Sequence, residues 1–531
     1  MNRQQLAAQI IIVGLLLGIF GNILFHPYLT DDFDFDLIPI LGIGFPIFVT
    51  TVIGAGFLLA RRYRVPLGLR RIWLVVPILF FAMMVAVRGD WVIMVVNIMA
   101  VFALGGLLLH YLPKKHYLDE ATTVEYSLSL IVAGVVSAVM PPFELLYLRG
   151  WFKSLDLRKS KGFVAVGRGL LLATPVLIVF VILLGSADVI FAERIGNIFS
   201  NLLPSNAESL ITQVIFIGII AYVIIGLIAY GLVRAVEAIH ADTIEPPSDR
   251  NTTEARKRGG GLGMIEAGIM LGSVNLLFLF FVFIQLQYLF GGEETIAAGF
   301  TYATYARRGF FELVAVTMLV LALGLWLDRA TLRRSTMHTT VFRGMAIVMV
   351  ALTLIMLVSA WHRMSLYEMA FGYTRLRIYT HIFMLALAAL LGAFLLQLFR
   401  VKPAIFSFSL LLVMIAYLGV LNLLNVENFV AWHNIQRDTS EVELDICYLR
   451  TFSVDALPAM LHLYENGDSA TERQHALLWM QEKWNTLDMH DTKPISMLNF
   501  AHQSAYTQLE SMRTDFLELS NPSNEFNCRY W

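Results

Sequence analysis

Cysteine is almost missing from this chain: its 531 residues include two, Cys447 and Cys528. Two thiols without neighbouring histidine pairs exclude a four-ligand zinc site. Charge is scarce as well. Asp, Glu, Lys and Arg together make up 15% of the residues, where soluble chains carry about a quarter. Length alone would allow roughly three or four soluble domains, but so few charges exclude that reading. Catalytic signatures are missing too: there is no Walker-type loop, dinucleotide fingerprint or serine-nucleophile elbow. His362 and His381 with Glu368 show no compact ligand spacing. Neither a metal nor a cofactor is expected, and nothing points to nucleic acid.

What the chain has in abundance is apolar sequence, 57% of it. Runs long enough for a bilayer, roughly 17–25 residues, lie near 8–26, 37–60, 72–88, 91–111, 169–186, 211–232, 264–290, 311–327, 344–361, 380–399 and 404–424. The fold class is therefore all-α, a polytopic membrane protein with about eleven spans. The first run has Arg3 before it and no small-residue cleavage site after it, so it reads as an uncleaved anchor.

Basic residues are retained on the cytoplasmic side of a membrane. Alternate links from Arg3 through Arg61–Arg71, Lys114–Arg168, Arg234–Arg258, Arg329–Arg343 and Arg400–Lys402 hold 25 of them. The other links before the tail hold 7. This asymmetry predicts a cytoplasmic N-terminus and a C-terminus outside. Residues 125–148 are apolar enough to span, yet both flanks are basic and Pro141-Pro142 with Glu144 interrupts them. A re-entrant or surface-lying segment is expected there.

Five regions follow. Residues 1–120 form four N-terminal spans, and 121–234 hold the re-entrant segment and two further spans. The Pro-, polar- and Gly-rich stretch 235–261 is a flexible cytoplasmic linker. Residues 262–425 supply five more spans, and 426–531 a small extracytoplasmic helical domain. That last region carries 7 Lys/Arg against 16 Asp/Glu, an acidic tail on a basic membrane body. Its apolar stripes are Leu457-Met460-Leu461-Tyr464, Leu477-Met480-Trp484-Leu487 and Leu498-His502-Ala505-Leu509-Met512-Phe516-Leu519. Spacings of three and four give each helix one apolar face. Both cysteines fall in this region, and an oxidising compartment would allow a Cys447–Cys528 disulfide.

The candidate chemistry lies in the outward links. Tyr305, Arg307, Arg308, Arg375, Arg377 and Tyr379 crowd two of them, where few arginines are expected. Guanidinium groups bind phosphate in a bidentate way, so these residues are candidates for an anionic headgroup or a polyprenyl phosphate among the membrane lipids. Glu293, Glu294, Glu312 and Glu368 are the carboxylates that would otherwise pair with them. The first outward link carries Asp31, Asp32, Asp34 and Asp36. It resembles, in position and acidity, the first outer loop of multi-spanning lipid-linked-sugar glycosyltransferases, in which a carboxylate acts as base or metal ligand. It is shorter than those loops, and a solvated acidic turn explains it as well.

Several stretches resemble a group of bacterial inner-membrane proteins known as a domain of unknown function (the 4173 type). They are Leu184-Gly-Ser-Ala-Asp188, Tyr305-Ala-Arg-Arg-Gly-Phe-Phe-Glu312, Tyr373-Thr-Arg-Leu-Arg-Ile-Tyr379, Asp445-Ile-Cys-Tyr-Leu449 and Ser453-Val-Asp-Ala-Leu-Pro458. The likeness covers roughly residues 160–465. It implies a bacterial cytoplasmic membrane location and carries no activity with it. The residues favour a non-catalytic sensor or assembly partner whose outer domain binds another protein. Behind that reading stand an outward-facing binding or transport protein for an anionic lipid or solute, and a glycosyltransferase-like enzyme using the acidic loop.

Overall fold

The computed structural model describes residues 3–25, 41–65, 72–112, 207–237, 262–290, 310–333, 335–399, 405–437, 444–488 and 498–518, with Ser137 and Pro141 between them. Among these residues every regular element is helical, and one isolated bridge joins Leu262 to Thr331. The membrane-forming helices are α1 (Arg3–Phe25), α2 (Gly44–Arg62), α3 (Val75–Val87), α4 (Trp91–Tyr111), α5 (Ala207–Ile228), α6 (Met264–Phe290), α7 (Phe310–Ala330), α8 (Thr336–Phe371), α9 (Arg375–Phe399) and α10 (Ile405–Leu424). A π-helical turn, Ala229–Val233, extends α5. Nine of the ten are long and apolar enough to cross a bilayer, so the chain is an all-α, multi-pass membrane protein.

The exception is α3. Its 13 residues rise about 20 Å at 1.5 Å each, short of a bilayer core of about 30 Å. Pro77 sits in its first turn, where a missing N–H is tolerated, and Arg88-Gly89-Asp90 ends it. The apolar run 169–186 and most of 125–148 lie outside the described residues. Ser137, inside the latter, is helical and buried, with its carbonyl against Gly226 of α5.

Among the described residues three apolar cores hold the bundle. Helices α6 to α9 share Leu327, Phe342, Met349, Leu391 and Phe394. Helices α1 and α5 share Leu6, Ile10, Ala221 and Ile228. The third joins Phe81 and Leu104 of α3 and α4 to Leu411, Ile415 and Leu418 of α10, so α10 binds the two halves together. Lipid is as apolar as leucine, so helices in a membrane associate by close packing, often through small residues. On α1 the Gly14-Leu-Leu-Leu-Gly18 spacing supplies this, with Gly18 pressed against the Ile217 carbonyl and Ala221. Large apolar side chains such as Leu276, Phe280 and Phe283 on α6 and Leu16 and Ile23 on α1 stay exposed, as a lipid-facing belt requires.

The tail comprises α11 (Val426–Ile435), α12 (Ile446–Arg450), a 3-10 turn (Val454–Ala456), α13 (Leu457–Asn466), α14 (Ala470–Asp488), α15 (Phe500–Glu510) and α16 (Arg513–Glu518). The first two predicted stripes fall on α13 and α14; of the third, His502, Ala505 and Leu509 lie on α15 and Phe516 on α16, with a turn at Ser511–Met512 between, while Leu498 precedes α15 and Leu519 lies outside the described residues. Side chains cap several starts. Asp445 accepts from the Tyr448 amide at 2.9 Å, and Asn499 from the His502 amide at 3.2 Å. Ser469 and Glu472 exchange side-chain and backbone bonds at 3.1 and 3.2 Å, a capping box. The tail core is not closed on itself: Ile93 of α4, Ile378 of α9 and Leu421 of α10 belong to it.

Candidate functional site: the buried polar junction under the tail

The ends of α3, α8 and α10 and the starts of α4 and α9 meet the tail on one face of the bundle, and the polar groups of that seam are mostly buried. Helix α3 stops at Val87, leaving carbonyls without intrahelical partners. Asn499 of the tail satisfies two acceptors there, donating to the Val85 and Arg88 carbonyls at 3.2 and 2.8 Å. The Gly89 amide donates to Asp455 Oδ1 at 3.0 Å, and a Cβ at Gly89 would lie 2.8 Å from Val454 Cγ2. The tight approach therefore requires glycine. Arg88 bonds the Asn422 carbonyl and stands 4.0 Å from Asp455 Oδ2.

Asp90 N-caps α4, accepting from the Val92 amide at 2.9 Å, and its other oxygen accepts from the Tyr379 hydroxyl at 3.3 Å. About two turns further along α4, Asn97 and Asn422 exchange two amide bonds of 2.8 Å, both side chains fully enclosed. Asn425 takes a left-handed conformation (φ 48°) that turns the chain from α10 into α11, and its amide donates to the Asp455 carbonyl at 3.0 Å.

Glu427, 2% exposed, is the centre. One oxygen accepts from Arg375 at 2.7 Å and the other from the Ser453 amide at 2.7 Å and the Ser453 hydroxyl. Arg375 also donates to Thr451 at 3.2 Å and lies over the Phe452 ring at 5.1 Å, while its backbone amide donates to the Tyr448 hydroxyl at 2.8 Å. Asp90, Glu427 and Asp455 are thus three buried carboxylates beside two guanidinium groups, Arg88 and Arg375. Burial, reinforced by the charge of Asp90, pushes the Glu427 carboxyl up to about 7 against the opposing Ser453 bonds and Arg375. Burial raises Asp455 as well, against the Gly89 amide and Arg88.

The predicted site residues are dispersed around this seam. Arg375 and Tyr379 are in it. Arg377 bonds the Gly372 carbonyl and lies 4.1 Å over the Tyr367 ring. Glu368 pairs with His381 at 3.2 Å rather than with an arginine, and the Trp361 ring packs edge-on against that imidazole. Glu312 falls in the first turn of α7. Tyr305, Arg307, Arg308, Glu293, Glu294 and the acidic residues Asp31, Asp32, Asp34 and Asp36 lie outside the described residues. Cys447 is disulfide-bonded, and the chain's other cysteine, Cys528, also lies outside them. Sequence reading passed over Arg88, Asp90, Asn97 and Asn499, and met Ser453 and Asp455 in a stretch of family resemblance. The signal for Arg88 and Asp90 was present: Arg88-Gly89-Asp90 is a charged tripeptide wedged between two apolar runs.

Fold and seam together define a polytopic helical membrane protein with a helical tail keyed into one end of its bundle. A family model described as Domain of unknown function (DUF4153) matches residues 75–463. This is more than half of the chain, and the chain belongs to that family. The match takes in Arg88, Asp90, Arg375, Glu427 and Asp455, and is to this family rather than to the 4173 type. No curated protein and no solved structure matches the chain.

Proposed function

We propose that the protein is a non-catalytic membrane platform that holds its outer helical domain in a fixed pose for a protein partner. The observation that supports it is the seam itself. Asn499 and Asp455 bond the backbone at the end of α3, Tyr448 and Glu427 bond Arg375 at the start of α9, and an apolar core runs through the contact. A domain tethered merely to stay near the membrane needs none of this; one that must present a surface at a set height and angle does. Arg375 and Arg377 both spend their guanidinium groups on the protein, so the anionic-lipid alternative would rest on Arg307 and Arg308.

The platform sits in a bacterial cytoplasmic membrane with its N-terminus inside and its tail outside. Support comes from the 25-to-7 distribution of basic residues and from helix polarity. His110 at the end of α4 bonds Tyr230 at the end of α5, at 2.5 Å, so the two helices run parallel and end on the same face. That agrees with an odd number of crossings between them, as the predicted topology has.

The test is photo-crosslinking in intact cells from exposed tail positions Arg473, Gln503 and Thr507. Discrete protein adducts are expected, and Asn499→Ala, which loosens the seat, should diminish them. Lipid adducts alone, or none, would sink the platform reading. A periplasm-dependent reporter fused after Trp531 should be active; silence there with activity at 245–258 would reverse the orientation.

A further inference from the structure

The seam carries more negative than positive charge in a dry place: Asp90, Glu427 and Asp455 against Arg88 and Arg375. With those five groups ionised they sum to a net charge of −1. A buried uncompensated charge is expensive, and a carboxyl escapes the cost by taking up a proton. We propose that the seam is a proton-operated latch, in which protonation of Glu427 tightens the tail on the bundle and its ionisation loosens it.

Geometry singles out Glu427 among the three. Asp90 is held by its capping bond and by Tyr379, and Asp455 by the Gly89 amide and Arg88. Glu427, at the start of α11, joins the bundle, through Arg375 of α9 on one oxygen, to the rest of the tail, through Ser453 on the other. The charged and titratable groups acting on or around it are Arg375 and Tyr379 of α9, Asp90 at the start of α4, Arg88 after α3, Tyr448 of α12, Asp455 of the 3-10 turn and Lys483 of α14. Asp90 opposes ionisation, whereas Arg375 and the Ser453 bonds favour it, and burial decides in favour of the neutral acid.

The sign follows from linkage. The seated carboxyl titrates near 7, the released one near its ordinary value of about 4.3. The seated state therefore binds the extra proton, and its advantage is complete below the released value and disappears as pH rises through about 7. Between those limits the opening equilibrium shifts by up to about tenfold per pH unit. The latch is strongest in acid and weakest above neutrality.

Hydrogen exchange of full-length protein in lipid nanodiscs reads this directly, because the Ser453 amide is bonded to Glu427 and the Ala459 amide to Asn428 at 3.1 Å. After correction for intrinsic rates, protection of residues 452–459 should fall at least about tenfold from pH 5.5 to pH 7.5. Glu427→Gln, neutral and of the same shape, should lose most of that fall and stay protected at pH 7.5. Any slope owed to Asp455 is common to both proteins. Asp90→Asn keeps a good N-cap but removes a charge that raises Glu427, so its fall should move to lower pH; this variant decides the matter if Glu427→Gln does not fold. An equal slope in wild type and Glu427→Gln, or an unmoved slope in Asp90→Asn, overturns the latch. The outcome is independent of whether any partner crosslinks to the tail.

Discussion

The crossing of α1 and α5 can be tested one methyl group at a time. A Cβ at Gly18 would stand 2.8 Å from the Ile217 carbonyl oxygen and 3.0 Å from Ala221 Cβ, and the first of these is backbone that no rotamer change can move. Carbon and oxygen want roughly half an ångström more, so Gly18→Ala has to push the helices apart. Overpacking of this kind costs about 1–3 kcal/mol, and the separation also loosens Leu6, Ile10 and Ile228. At Gly14 the nearest obstacle is Ile225 Cγ1, next to the backbone of a β-branched residue that is stiff at χ1 in a helix, so it cannot simply turn aside. Gly14→Ala should therefore also force the helices apart and destabilise the protein. Gly54 and Gly56 of α2 are the controls, since among the described residues nothing lies within 4 Å of a Cβ there. Alanine is favoured over glycine inside a helix by about 0.5–1 kcal/mol, so those changes should be neutral or mildly stabilising. Thermal unfolding of the purified protein in detergent, with Tm read by size-exclusion recovery, should place Gly56→Ala above both Gly14→Ala and Gly18→Ala. Gly18→Ala unfolding together with Gly56→Ala would show that α1 and α5 do not cross at this point.

Three further perturbations probe the seam. Asn499→Ala removes the donor to two α3-end carbonyls and the N-cap of α15. It should cost about 2–3 kcal/mol as two lost buried bonds and a cap, seen as faster proteolysis of the tail, with unchanged cleavage counting against the seat. Asn97→Leu and Asn422→Leu each leave one buried amide without its partner, about 1–3 kcal/mol apiece. The double variant should cost clearly less than their sum in the same assay, and strict additivity would mean that the reciprocal pair of 2.8 Å bonds does not exist. Arg375→Ala strips Glu427 of its cation. Its destabilisation should be larger at pH 8, where the carboxylate is left charged, than at pH 5.5, where it takes a proton, and melting curves at the two values check the sign.

How the chain displays its fold depends on which physical quantity each residue carries. Helices α6 and α10 are legible because hydropathy is local: one continuous apolar run, one span. Helix α8 is half legible. Its 36 residues, Thr336–Phe371, run well past the apolar stretch 344–361 at both ends. Hydropathy marks the part that meets lipid, while the hydrogen-bonded ladder continues through His338, Arg343, His362 and Arg363. The same effect displaced the start of α9. Arg375 and Arg377 read as link residues because they are charged, yet the helix begins at Arg375, and the true break is Gly372 at φ 77°. A Cβ there would meet Asn434 Oδ1 at 2.9 Å. Asn434 also bonds both the amide and the carbonyl of Tyr373, at 2.7 and 2.9 Å, holding the link from sixty-one residues away.

Distance along the chain is also why the seam was invisible. Arg375 was found, but as a ligand for a phosphate, since its partner Glu427 lies fifty-two residues on, at the start of another helix. Asp90 and Asp455 are more than three hundred residues apart and meet because α3, α4, α9 and α10 end at one height under the tail. Periodicity says which face of a helix is apolar and says nothing about which helix ends become neighbours. The legible trace is at Arg88-Gly89-Asp90. A connection of three residues between α3 and α4 forces a tight antiparallel pair, and a tight turn of that kind has little need of two opposite charges on its own account. Opposite charges on either side of a glycine, at the mouth of an apolar hairpin, ask what comes close enough to use them, and the answer is the 3-10 turn of the tail, with Asp455 accepting from the Gly89 amide at 3.0 Å.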